Sequence, residues 1–140
     1  MNLYLDTSAL VKLYVLEAGS EVVADRVARA PLVATSRVAY PEARAALARR
    51  QREGALTAAD VGRAVRDLRR DLDAFVVVEL TPPVAFRAGD LAEAHALRGL
   101  DGIHLASALE LGQLTGSLPA FLAFDSRLGA AAAAERLPAA

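Results

Sequence analysis

Four carboxylates in this chain stand where a metal site would want them: Asp6, Glu42, Asp101 and Asp125. Asp6 and Asp125 each follow a short apolar run, Leu3-Tyr4-Leu5 and Phe121-Leu122-Ala123-Phe124. Glu42 and Asp101 fall near the starts of long Ala- and Leu-rich stretches of helical pattern. In a parallel α/β sheet such positions can converge on the carboxyl edge, where open sheets keep their ligands. Four like charges drawn together repel one another and raise one another's pKa, and a cation among them relieves the repulsion. Magnesium suits such a set, because it takes oxygen ligands and keeps several waters. Its chemistry there would be activation of a water for attack.

Singly, each carboxylate also has an ordinary structural role. Asp6, Asp101 and Asp125 each read as the N-cap of a following helix. Glu42, after a proline, reads as a first-turn glutamate favoured by the helix dipole. What sets them apart is that three Asp caps would open onto one sheet edge, two of them close behind apolar strands. Thr7, Ser8 and Ser126 are small hydroxyls beside the carboxylates and read first as local caps. His104 lies three residues after Asp101, on the same helix face, within reach as a base; as a packed histidine it stays outside the chosen set. Arg127 reads as a salt-bridge partner of Asp125 and Lys12 as a surface residue, while Glu79 and Asp90 are expected off the site. No G-x-x-x-x-G-K or G-x-G-x-x-G phosphate loop occurs, and no G-x-S-x-G elbow.

Alternating strand and helix patterns must position these residues. Strands are expected at Asn2–Leu5, Leu32–Thr35, Phe75–Leu80 and Ala120–Phe124, the Val-rich third reading as a buried parallel strand. Helices are expected from Ala9 to about Leu16, over Glu21–Ala30, from Val38 to about Arg52, and from a Thr57 cap to about Leu72 with Asp60 completing a capping box. Three more run from Thr81-Pro82 to about Leu97, from Asp101 to about Leu114, and over Arg127–Arg136. The order predicts one α/β domain over residues 1–140, three layers deep, with a parallel sheet of four to five strands. Only Leu137–Ala139 remains for a fifth strand, which is short or absent.

At 140 residues, 54% hydrophobic and 24% charged, the chain can bury a single core. No apolar run reaches the length of about 20 residues that a membrane span needs. The N-terminus meets a charge at once, without signal-peptide architecture, so a cytoplasmic protein is expected. Cysteine is absent, so a metal here is held mainly by oxygen. Net charge is −1, yet nine arginines face four carboxylates between Arg37 and Arg70. Arginine suits bidentate phosphate contacts, although a solvated helical face accounts for the charge equally well.

The segments Asp6-Thr7-Ser8-Ala9-Leu10, Tyr40-Pro41-Glu42-Ala43-Arg44-Ala45-Ala46-Leu47, Asp101-Gly102-Ile103-His104-Leu105-Ala106-Ser107-Ala108 and Ala123-Phe124-Asp125-Ser126-Arg127-Leu128 resemble the four signature blocks of PIN domains. The resemblance is to the small VapC-type ribonuclease toxins and covers essentially the whole chain. It implies an α/β/α PIN-like fold and a magnesium- or manganese-dependent endoribonuclease that is the toxin of a type II toxin–antitoxin pair. It also implies a homodimer, a cognate antitoxin and an RNA substrate. By motif match, Asp6, Glu42, Asp101 and Asp125 take the metal-site and catalytic roles, with Thr7, Ser8 and Ser126 as supporting hydroxyls. Arginines of the basic region, Arg37, Arg44 and Arg49 among them, would hold the RNA backbone. Gly102 departs from the usual alanine and is expected to loosen that first turn; the short Ala-rich C-terminus puts the last strand in doubt. Two rivals stand beside this reading. One is a non-catalytic PIN-fold module binding RNA or protein. The other is a carboxylate-metal phosphohydrolase, which Ser8 disfavours by standing where an Asp-x-Asp motif needs its second acid.

Overall fold

The computed structural model describes residues 1–140. Strands β1 (Leu3–Leu5), β2 (Val33–Ser36), β3 (Val76–Val78) and β4 (Ala120–Leu122) form one sheet. The helices are α1 (Thr7–Val11), α2 (Ser20–Arg29), α3 (Ala39–Arg52), α4 (Ala58–Ala74), α5 (Pro82–His95), α6 (Gly99–Thr115) and α7 (Ser126–Ala134). The strand order is β3-β2-β1-β4 and every pairing is parallel. The chain therefore builds outward from β1 through β2 to β3, then returns to lay β4 on the other side of β1. That reversal makes the β1–β4 boundary the topological switch point, the place where such sheets open a ligand crevice.

Side-chain alternation along β1 separates the two faces. Tyr4 joins a core with Val84, Ala88 and Leu91 of α5, Leu105 and Leu109 of α6, and Leu128 of α7. Leu3 and Leu5 join Leu10, Val23, Ala43 and Leu68 from α1, α2, α3 and α4. The expected three layers form. Helix α6 is buried on most of its circumference, as a helix apolar nearly all round must be. The Thr57–Asp60 capping box at the start of α4 forms as expected.

Three expectations change. The first helix is only five residues long, because the amides of Lys12, Leu13 and Tyr14 bond three residues back while the Tyr14 hydroxyl is drawn to Asp71 of α4 at 2.9 Å. Strand β3 is a three-residue edge strand with Val76 exposed, not a buried one, because β4 returns beside β1 and leaves β3 without an outer neighbour. Gly102 tightens the packing instead of loosening the turn: a Cβ there would lie 2.6 Å from the Ala88 carbonyl oxygen, so α5 crosses α6 in a space only glycine leaves. The fifth strand, expected to be short or absent, is reduced to an isolated bridge between Phe121 and Ala139.

Candidate active site

Asp6 leaves β1 extended and caps α1. Its Oδ1 accepts from the Ala9 N–H at 2.9 Å and the Ser8 hydroxyl at 2.7 Å, and its Oδ2 accepts no hydrogen bond from the protein. The residue is 5% exposed. Burial pushes its pKa up, the bonds from Ala9 and Ser8 and the charge of His104 pull it down, and the charge of Asp101 pushes it up again; the balance lies above the usual aspartate value. A carboxylate with one oxygen fixed and the other open, near enough to feel the charge of a second acid, can serve as a ligand for a hard cation.

The two strand ends at the switch point are tied together. Asp6 N–H donates to the Leu122 carbonyl at 3.2 Å, and the Phe124 N–H donates to Ser8 Oγ at 3.3 Å. Asp125 follows directly, exposed, capping α7 through Oδ1 and the Leu128 N–H at 2.9 Å. Ser126 is exposed beside it as the first residue of α7. Arg127 makes no ion pair with Asp125, whose Oδ1 is taken by the cap. Lys12 is no surface residue either: it pairs with Glu17 at 3.0 Å and lies 4.6 Å from the Phe124 ring centroid.

Glu42 stands in the first turn of α3, just after Pro41, which falls among the first-turn amides that a helix leaves unbonded. Its Oε1 accepts the Thr7 hydroxyl at 2.6 Å and lies 2.8 Å from His104 Nε2, with Thr7 Oγ1 and Nε2 themselves 3.0 Å apart. Behind them, the Tyr4 hydroxyl is 2.9 Å from His104 Nδ1. Burial raises the Tyr4 pKa well above its usual value, so the phenol keeps its proton. Between the Tyr4 hydroxyl and the Glu42 carboxylate, His104 turns an Nε2–H toward Glu42. Burial also works to raise the Glu42 pKa, but the bonds from His104 and Thr7, with the charges of His104 and Arg98, outweigh it and hold the residue below the usual glutamate value. Asp6 and Glu42 are thus displaced in opposite directions, the pattern by which neighbouring acids take different tasks. His104 lies outside the set expected from sequence; its signal is one imidazole in the otherwise apolar run Ile103–Ala106.

Asp101 is the third residue of α6, not its cap. Ala96 ends α5 in a left-handed conformation, Arg98 takes the extended cap position, and the helix begins one residue later. Asp101 Oδ2 lies 3.4 Å from Arg98 Nε. Glu42 and Asp101 line one cleft of about 470 Å³ together with Arg98, Gly99, Leu100 and Ile103. No three acidic or histidine side chains stand close enough to grip one ion as a finished cage. The donor set still fits magnesium or manganese: it is all oxygen, anionic, and has the open Oδ2 of Asp6. Arg37, Arg44 and Arg49 lie exposed along α3 and just before it, engaged with Glu79, Tyr40 and Glu53 respectively. Glu79 is thus held by Arg37.

The PIN domain family profile matches residues 3–134, nearly the whole of this arrangement. The chain belongs to the PIN-domain family. It is 47% identical over 109 residues to Ribonuclease VapC45 of Mycobacterium tuberculosis (strain CDC 1551 / Oshkosh) and to Ribonuclease VapC49 of Mycobacterium tuberculosis (strain ATCC 25618 / H37Rv), covering 78% of this chain and 76% of each relative. Among solved structures, Mycobacterium tuberculosis VapC20, described as a Sarcin-Ricin loop cleaving toxin, superimposes with a TM-score of 0.67 at 19% identity, covering 92% of this chain and 94% of that one. A toxin–antitoxin complex from Klebsiella pneumoniae gives 0.60 at 18% identity, covering 89% and 87%. PAE2754 from Pyrobaculum aerophilum gives 0.63 at 23% identity, covering 94% and 79%. At those identities the structures establish the PIN fold. No helix of the chain is long and apolar enough to cross a membrane.

Proposed function

We propose that this protein is a metal-dependent endoribonuclease, a single nuclease domain over residues 1–140 acting as the toxin of a type II toxin–antitoxin pair. The observation that carries the reading is Asp6: a carboxylate at the switch point, one oxygen fixed by the protein, the other open, its pKa raised by burial and further by the charge of Asp101. The identity of 47% to proteins named ribonucleases supports the same chemistry. A bound magnesium or manganese ion supplies charge neutralisation at the scissile phosphate and lowers the pKa of an attacking water.

Asp6 through Oδ2 and Asp101 are the principal ligands in this reading, and Asp125 completes the site directly or through water. Glu42, clamped at Oε1 by Thr7 and His104, offers Oε2 to orient the attacking water or take its proton. Ser8 fixes the rotamer of Asp6, and Ser126 stands by as a hydroxyl near Asp125. Arg37, Arg44 and Arg49 hold the RNA backbone along the flank of α3, each trading an exposed local contact that stabilises little. A cognate antitoxin, a homodimer and a cytoplasmic location belong to the same proposal.

Incubating structured RNAs with the protein in magnesium and in chelator tests it. Cleavage confined to the magnesium arm supports the proposal, and equal cutting in both arms rules out metal dependence. No cutting, together with no manganese-induced rise in melting temperature, favours a non-catalytic binding module.

A further inference from the structure

Arginine is a poor residue for the position Arg98 holds. It is the N-cap of a 17-residue helix and its side chain makes no capping hydrogen bond, where Ser, Thr, Asp or Asn would close the first turn. Its charge also lies at the positive end of the helix dipole. The side chain is 85% exposed, and its one polar contact is Nε at 3.4 Å from Asp101 Oδ2, leaving Nη1 and Nη2 without a protein partner. An exposed pair of that length contributes little to stability. A local rule broken with no structural gain marks a position kept for function.

The surroundings say which function. Arg98 is the only cation lining the cleft that holds Glu42 and Asp101. An acidic cleft repels a polyanion, and a free guanidinium fork at its rim matches the non-bridging oxygens of a phosphodiester. Arg37, by contrast, has its fork already engaged with Glu79 through Nε and Nη2, and Arg49 does not line this cleft.

We propose that Arg98 is a phosphate-binding residue of this site, resting on Asp101 in the free protein and turning its Nη pair onto a phosphate of bound RNA, which frees Asp101 Oδ2. This rests on the ribonuclease reading. Because the Asp101 contact is single and long, the turn gives up little.

The test is fluorescence anisotropy with a labelled, unstructured 20-nucleotide RNA, in the Asp6→Asn background with magnesium, over a series of KCl concentrations. Arg98→Ala should weaken binding about tenfold, the loss of one charge-assisted contact. It should also flatten the slope of log Kd against log salt by about 0.7, one phosphate on a single strand. Arg98→Lys should restore the slope and part of the affinity. Arg29→Ala, beside Leu3 and Ala120 at the opposite sheet edge, should change neither. The melting temperature of Arg98→Ala should stay level or rise. Unchanged affinity, or a loss of affinity with an unchanged slope, overturns the assignment. If Arg98→Ala binds normally while the unsubstituted protein cleaves RNA, this inference fails alone; if the unsubstituted protein neither binds nor cleaves RNA, the ribonuclease reading fails with it.

Discussion

At Asp6, burial and charge act together. Its folded pKa lies above the unfolded aspartate value of about 3.9. Between those two values the native state holds more protons than the unfolded one, so the residue's contribution to stability is present at low pH and is lost as pH rises. Asp6→Asn keeps a capping oxygen and the Ser8 contact while removing the charge. In metal-free buffer at neutral pH the variant should be at least as stable as the parent, with the gap closing below pH about 4, in urea titrations across pH. A variant less stable at neutral pH would show that the charge itself holds the fold. Thr7→Val tests the Glu42 clamp: it removes the 2.6 Å bond with little change in shape. Cleavage should fall about tenfold, since a charge-assisted bond contributes about 1.5 kcal/mol, with the melting temperature nearly unchanged. The four acids could be read in the sequence because each follows a strand or opens a helix. His104 could not, because its partner Tyr4 is 100 positions away, and an imidazole among leucines looks the same whether packed or clamping.

At the scale of elements, the legible features were those set by local chemistry: the Thr57 box, the Thr81-Pro82 helix start, the Ala- and Leu-rich pattern of α6. Features set by distant packing leave no local mark in the sequence. The Val-rich β3 became an edge strand because topology, not hydropathy, decides which strand is central. Helix α1 stopped early because Tyr14 is held by α4. Gly102 is the clearest case, since the space it leaves belongs to Ala88 on another helix. Gly102→Ala should therefore destabilise the protein by about 1–3 kcal/mol through overpacking, despite alanine's better helix propensity. Chemical denaturation reads this directly; a neutral or stabilising result would mean that α5 yields at no cost.

For the whole molecule, the order β3-β2-β1-β4 brings residues far apart in sequence to one sheet edge. Asp6 and Asp125 leave neighbouring strands at the switch point, while α3 and α6 bring Glu42 and Asp101 from opposite faces of the sheet. A net charge of −1 gives no general attraction to RNA, so affinity must come from local cations and a bound metal. Metal that binds only the native state raises stability by mass action, about 2.7 kcal/mol at a hundred times Kd. Manganese should accordingly raise the melting temperature of the parent and leave that of Asp6→Asn nearly flat; equal shifts would place the ion away from Asp6. The most direct test of the central claim is the single-turnover RNA cleavage rate of the parent, Asp6→Asn and Asp101→Asn across a magnesium titration. Both variants should lose more than the 10–100-fold, roughly, that outer-shell substitutions cost at metal sites, at every magnesium concentration. Variants that cut like the parent would show that the chemistry lies elsewhere in the molecule.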